Sequence, residues 1–312
     1  MIVDTGYYIF SFIITLVSFV VRDFAVPLFV WRKYLKGKSL GFKFWFCVIT
    51  QAALLINLVL LLGFFDICNR WTILLCLFLI NGLISLNFSD KNILKRMKHF
   101  MNEFRLAGKE VRLFLYLRKH VTDGLKAIQR SILGSFNGRS FRKHFLQGIG
   151  LATIIVYNLW FLTYNTMRYH SFQFSDIPVH QSWIYALEKG TLFVDGIYPF
   201  GMHAMVYIIR IFFGINLRTI LLYAGVYQTI LLVIGLYILA GKLFRAKYTP
   251  LTVVTIFSLM LNQDRYAGSL PQEAGMFAIV GVAYFMLSVL HEDRDIAVIE
   301  GDSGLRRAFR IR

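Results

Sequence analysis

Thr219 to Gly241 reads TILLYAGVYQTILLVIGLYILAG, a run of 23 residues without a formal charge. Lys242, Arg245 and Lys247 follow it at once. At 1.5 Å per residue this run is about 35 Å long as a helix, enough for the roughly 30 Å hydrocarbon core of a bilayer. Five further segments are comparable: 7–21 (extending towards Trp31), 44–65, 71–88, 148–165 and 274–290. A shorter one, 248–262, completes a set of about seven.

The whole composition agrees with that reading. Of 312 residues, 57% are hydrophobic, and only 16% are charged, against about 25% in an average soluble domain. A disordered chain, a disulfide scaffold and a soluble globular protein are thereby excluded. The expected fold is an all-α, polytopic membrane protein. The cysteines, Cys47, Cys68 and Cys76, have no CxxC or Cys/His ligand spacing, so structural zinc and a disulfide framework are not expected. The first apolar run has no basic residues before it and no small-residue cleavage site, and reads as a span rather than a removable signal peptide.

The net charge is +17. Three stretches hold 22 of the 34 Lys and Arg residues: 32–43, 89–146 and 242–248. Basic residues accumulate in cytoplasmic loops, so these three are expected inside. The N-terminus, 66–70, 166–218 and 263–273 are then expected outside, and the tail 291–312 inside. The run 201–215 does not cross under this scheme. His203, Tyr207 and Arg210 recur at i, i+4 and i+7 on one helical face, with Met205, Ile208, Ile209 and Phe212 on the other, which predicts an interfacial helix. The stretch 89–146 places Ile93, Met97, Phe100 and Phe104 at helical spacing among basic residues, as an amphipathic helix on an anionic leaflet would. No motif or aromatic platform for nucleic acid accompanies them. The chain thus divides into a three-span unit (1–88), a basic amphipathic loop (89–146), a four-span unit (147–290) and a tail (291–312).

Polar chemistry concentrates in two of the expected outer loops. In the first, Pro178 favours a helix start just after Asp176. Asp176 and His180 then lie one turn apart, as a general base or a metal pair would. Spacing alone favours the simpler alternative, an N-cap at Ser175 or Asp176 beside an ordinary interfacial histidine. The second loop reads NQDRYAGSLPQE from Asn262 to Glu273. Glu273 falls in the first turn of the last span, where the helix dipole favours a carboxylate, and Ser269 with Gln272 fits a capping box. An ionisable group at a membrane edge is also a candidate site.

The order of these features resembles the membrane-integral GT-C glycosyltransferases. It runs from a span to Asp176-x-x-x-His180, then Ala186-Leu187-x-x-Gly190, then Tyr198-Pro199-x-Gly201-x-His203 and a short helix. A span, a short span and an outer loop with Arg265 and Glu273 follow. The resemblance covers 148–290, a partial module. The family's usual further spans have no counterpart after 290, so a truncated or inactive relative is among the expectations. The resemblance implies that Asp176 is the catalytic carboxylate, with Glu273 as the second. His180, His203, Arg265 and Tyr198 would bind substrate. A divalent metal (Mg or Mn) would sit between Asp176 and Glu273. It implies a polyprenyl-phosphate-linked sugar as donor, its lipid tail in the bilayer. Two alternatives stay open: a non-catalytic membrane subunit in lipid-linked glycan assembly with membrane protein partners, and a transporter or flippase. A transporter needs charges within the membrane, and Arg22-Asp23 is the one such pair, expected at the cytoplasmic edge of a short first span.

Overall fold

A computed structural model describes residues 2–86, 138–172, 174–194, 200–244 and 246–289, with residues 102, 122, 123, 126 and 129. All regular structure among them is helical. The elements are α1 (Ile2–Val20), a π-helical turn (Val21–Ala25), α2 (Val26–Val30), α3 (Leu40–Phe64), α4 (Arg70–Leu86) and α5 (Gly138–Tyr169). Then come α6 (Ile177–Glu188), α7 (Gly201–Phe213), α8 (Leu217–Leu243), α9 (Thr249–Leu259), α10 (Gln263–Ala267) and α11 (Pro271–Val289). Most of the expected basic loop 89–146 and all of the tail 291–312 lie outside the described residues.

Five helices are long and apolar enough to cross a membrane: Gly6–Val30, Leu40–Phe64, Phe145–Tyr169, Leu217–Leu243 and Pro271–Val289. The chain is an integral membrane protein. The other two expected spans form α4, which is 17 residues long over the described residues, and α9, whose 11 residues are fewer than the roughly 17–25 a crossing takes.

The opening run is the middle of the molecule. In α8, 72% of the apolar window is buried, against 17–44% in the other four crossing helices. Asn216 starts it, its side-chain oxygen accepting the Arg218 N–H at 2.9 Å. Trp45 of α3 is fully buried, and its indole fills a groove left open by Gly235 of α8 and Gly281 of α11. One hydrophobic cluster runs from Phe19 to Tyr284 and so draws on both halves of the chain.

The last helices form a hairpin that stops inside the bundle. α9 runs beside α5, with Asn158 donating to Ser258 Oγ at 2.8 Å. α11 returns along α8 until Lys242 Nζ donates to Ser288 Oγ at 2.6 Å. The hairpin tip, 267–271, is buried against α8 at Gly225. Gly225 lies eight residues, or about 12 Å, inside the start of α8. Ser269 does not cap α11 as its spacing suggests. It accepts the Gly225 N–H at 2.9 Å and donates to the Leu221 carbonyl at 2.7 Å. Thr229 donates to the Tyr266 carbonyl at 2.8 Å.

The expectation of an interfacial helix at 201–215 is corrected. α7 forms, and Gly214 ends it at φ +66°. However, seven of its residues are buried, among them His203 and Tyr207 from the face expected to meet headgroups.

Candidate functional site

The two polar loops meet. Phe174 packs on the hairpin tip: its Cβ would lie 3.3 Å from a Cβ added at Gly268. Two residues on, Asp176 occupies the N-cap position of α6. Its side chain makes no cap bond and instead accepts from Ser175 Oγ at 3.2 Å. The main-chain carbonyl of Asp176 accepts the Val179 and His180 N–H groups at 3.0 and 3.2 Å. The carboxylate is therefore left exposed beside the first turn of the helix.

His180 points the other way, into the protein. Its Nδ1 lies 3.1 Å from Nε2 of His203 on α7, and both rings are buried. Such a contact needs one ring nitrogen protonated and the other not. Burial pushes His180 below its ordinary 6.5, while the Asp176 carboxylate pulls it partly back. The neutral imidazole that the pair requires is thus the form burial favours. Trp183 closes the cluster, its ring centre 5.3 Å from His180 and 5.5 Å from His203.

On the tip itself, Asn262 caps α10 by accepting the Arg265 N–H at 3.2 Å. Arg265 Nε then reaches Glu273 Oε1 at 3.5 Å across the turn into α11. The partners differ sharply: Arg265 is 57% exposed and Glu273 is 1% exposed. Neither Glu273 oxygen has a hydrogen-bond partner among the described residues. A buried carboxylate is costly unless paired, and Arg265 is the cation beside it. Both Glu273 oxygens are buried, and the side chain faces Arg265. Among the described residues no group of three or more His, Cys, Asp or Glu side chains could hold a metal ion. Of the two carboxylates to which the resemblance assigns a metal, Asp176 is exposed and Glu273 is buried. Tyr198 lies outside the described residues.

A further polar cluster lies in the first crossing helix. Arg22 and Asp23 are not at the edge of a short span. The π-helical turn carries the helix on to Val30, and both residues are buried within the 25-residue apolar segment. Arg22 Nε and Nη2 donate to the two Asp23 carboxylate oxygens, each at 2.7 Å. Nη1 donates to the Met205 carbonyl of α7 at 2.9 Å. Tyr227 of α8 donates to Asp23 Oδ2 at 2.9 Å, and its ring stacks on Phe19. Single-turn π-bulges inside α-helices are frequent at functional sites. The available signal was the charged pair itself, inside an apolar run that continues through Phe24-Ala25-Val26-Pro27.

The pair borders a cavity of about 390 Å³ between α1, α3, α7, α8 and α11. Its wall is mostly apolar, with Arg22, Asp23, Tyr227 and Gln228 supplying the polar side chains. Segments next to the loop residues also line it: Gly201 and Met202 beside His203, and Pro271 and Ala274 on either side of Glu273.

Comparison with known proteins finds no matching family model, no matching curated protein and no matching solved structure.

Proposed function

We propose that this chain transfers a sugar from a polyprenyl-phosphate donor at the outer membrane face, as a GT-C-like module. The N-terminus is outside and the basic stretches are cytoplasmic. The observation that carries the reading is the packing of the first polar loop, at Phe174, onto the tip of the second, at Gly268. It sets an exposed carboxylate, Asp176, and an exposed cation, Arg265, on two loops that touch.

Sugar transfer from a phosphate needs both. The acceptor hydroxyl gives its proton to Asp176 as its oxygen bonds to the sugar carbon. The bond from that carbon to the phosphate oxygen breaks, and the leaving phosphate takes the electron pair. Arg265 faces that growing charge. Glu273 is a positioning residue, holding Arg265 from below. The neutral His180–His203 pair pins α6 to α7 and so fixes where Asp176 stands.

The test is transfer by the purified chain from polyprenyl-phosphate sugars to a panel of hydroxyl acceptors. Asp176→Asn is expected to abolish transfer with the thermal transition unchanged, whereas full activity removes Asp176 as the base. Glu273→Gln is expected to weaken binding of the phosphate donor more than turnover.

Lipid translocation is the second reading. The buried Arg22–Asp23 pair at a cavity within the bundle favours it, since such charges mark transport paths. Movement of a lipid-linked sugar across proteoliposomes in the absence of acceptor would select it over transfer.

A further inference from the structure

The cavity beside Arg22 has polar requirements of its own. A guanidinium carries five N–H donors. Three of Arg22's have acceptors, two on Asp23 and one on the Met205 carbonyl. Two N–H groups are left without an acceptor among the described residues. On α8, Gln228 lines the same cavity, and its Oε1 is buried without a hydrogen-bond partner among the described residues. The cavity therefore offers spare donors and a spare acceptor in an otherwise apolar space. Buried polar groups left unmade in this way are uncommon and costly.

Charge narrows the ligand. Asp23 already balances Arg22, so the cavity is electrically neutral. An anionic head such as a phosphate would bring an uncompensated charge into low dielectric, and a cation would do the same. A hydroxyl brings none. It accepts from Arg22 through its oxygen and donates its proton to Gln228 Oε1. The remaining wall, including Phe19, Ala52, Ile56, Met202 and Ala274, asks for an apolar body. The volume, about 390 Å³, is at the lower end of the roughly 300–1,000 Å³ of small-molecule pockets.

We propose that this intramembrane cavity binds an uncharged amphiphile, a long-chain alcohol, with its hydroxyl between Arg22 and Gln228 and its chain along the apolar wall. The site does not rest on sugar transfer, and its test contains no transfer assay.

The full chain in nanodiscs is labelled with a diazirine-bearing C12 alcohol, and the labelled peptides are identified by mass spectrometry. Label is expected on the cavity segments of α3, α7 and α11. Unlabelled 1-dodecanol should displace it at concentrations about 10-fold or more below those needed of dodecane or dodecyl phosphate. Gln228→Leu should weaken labelling about 3- to 10-fold, the loss of one buried hydrogen bond. Ala274→Phe, which fills the space, should remove it. Dodecane competing as well as the alcohol would reduce the cavity to an apolar slot and overturn the proposal. Dodecyl phosphate competing as well would overturn the neutral head. Both competitions use the unmodified chain, so they decide even where a variant does not fold.

Discussion

Replacing Gly225 by alanine tests the hairpin tip on which the candidate site is built. A Cβ at this position would lie 2.1 Å from the Gly268 carbonyl oxygen, 2.5 Å from its carbon and 2.6 Å from the Ala267 oxygen. All three are backbone atoms, so no side chain can swing aside. A C–H···O contact is comfortable at about 3.3–3.6 Å, so the tip must withdraw by about 1 Å. Withdrawal breaks the Gly225–Ser269 and Thr229–Tyr266 bonds, now 2.9 and 2.8 Å long. Two such bonds are worth about 1–3 kcal/mol, and overpacking adds about 1–3 kcal/mol. Alanine returns up to about 1 kcal/mol through its helix propensity. The expected net loss is about 3 kcal/mol. Gly148 of α5 is the control, because nothing lies within 4 Å of a Cβ added there. Gly148→Ala should be neutral or slightly stabilising. The assay is thermal unfolding in detergent, with limited proteolysis of the 263–271 turn as a local readout. A Gly225→Ala protein that unfolds with Gly148→Ala, and resists protease equally, would refute the close approach of tip and helix.

Three other outcomes are expected. Asp23→Leu leaves the Arg22 charge buried without its partner and should cost about 3–5 kcal/mol, whereas the double change Arg22→Met/Asp23→Leu should recover most of it; equal unfolding temperatures for the two would contradict a paired charge. The His180 value lies below 6.5 in the folded chain, so the unfolded chain binds more protons as pH falls through 6.5. Stability from this group is complete above that pH and declines below it, until the folded value is passed. His180→Gln should flatten this decline in denaturation measured from pH 8 to pH 5, and an unchanged slope would place it elsewhere. In a chain stripped of Cys47, Cys68 and Cys76, a cysteine at 176 or 262 should react with an impermeant reagent from one side of the membrane and one at 245 from the other. Reaction of all three from the same side would end the proposed topology.

How far the sequence could be read depends on what each pattern encodes. The α8 run is legible because length and absence of charge are properties of one segment. The α7 pattern was read correctly as a shared face and wrongly as a wet one. His203 meets His180, the Tyr207 hydroxyl donates to the Cys68 carbonyl at 3.3 Å, and Arg210 donates to Glu188 at 3.1 Å. None of these partners lies on α7. Periodicity shows that polar groups point the same way, but it cannot show whether water or protein waits there. The same limit explains Ser269. Its spacing to Gln272 fits a cap, yet the groups it bonds are Leu221 and Gly225, more than 40 residues earlier. A loop that finds such partners can stop deep in the bundle, so α9 needs only 11 residues.

Arg22 and Asp23 show the converse, a local signal that only energetics can interpret. Adjacent opposite charges in an apolar run usually mark where a helix leaves the membrane, because burial of either ion is expensive. Here the helix continues, and the charges are covered from two other helices: Met205 supplies a carbonyl and Tyr227 a hydroxyl. Among the described residues Asp23 accepts three hydrogen bonds, two from Arg22 and one from Tyr227. That is the condition under which a buried pair is tolerated. Arg22 is not covered to the same degree, and the shortfall faces a cavity. If the pair served only to join α1 to α7 and α8, a fully bonded guanidinium packed without space beside it would do so at lower cost. The unused donors, the unpaired Gln228 oxygen and the adjoining cavity are therefore better explained together, as parts of one binding site, than as three separate defects of packing.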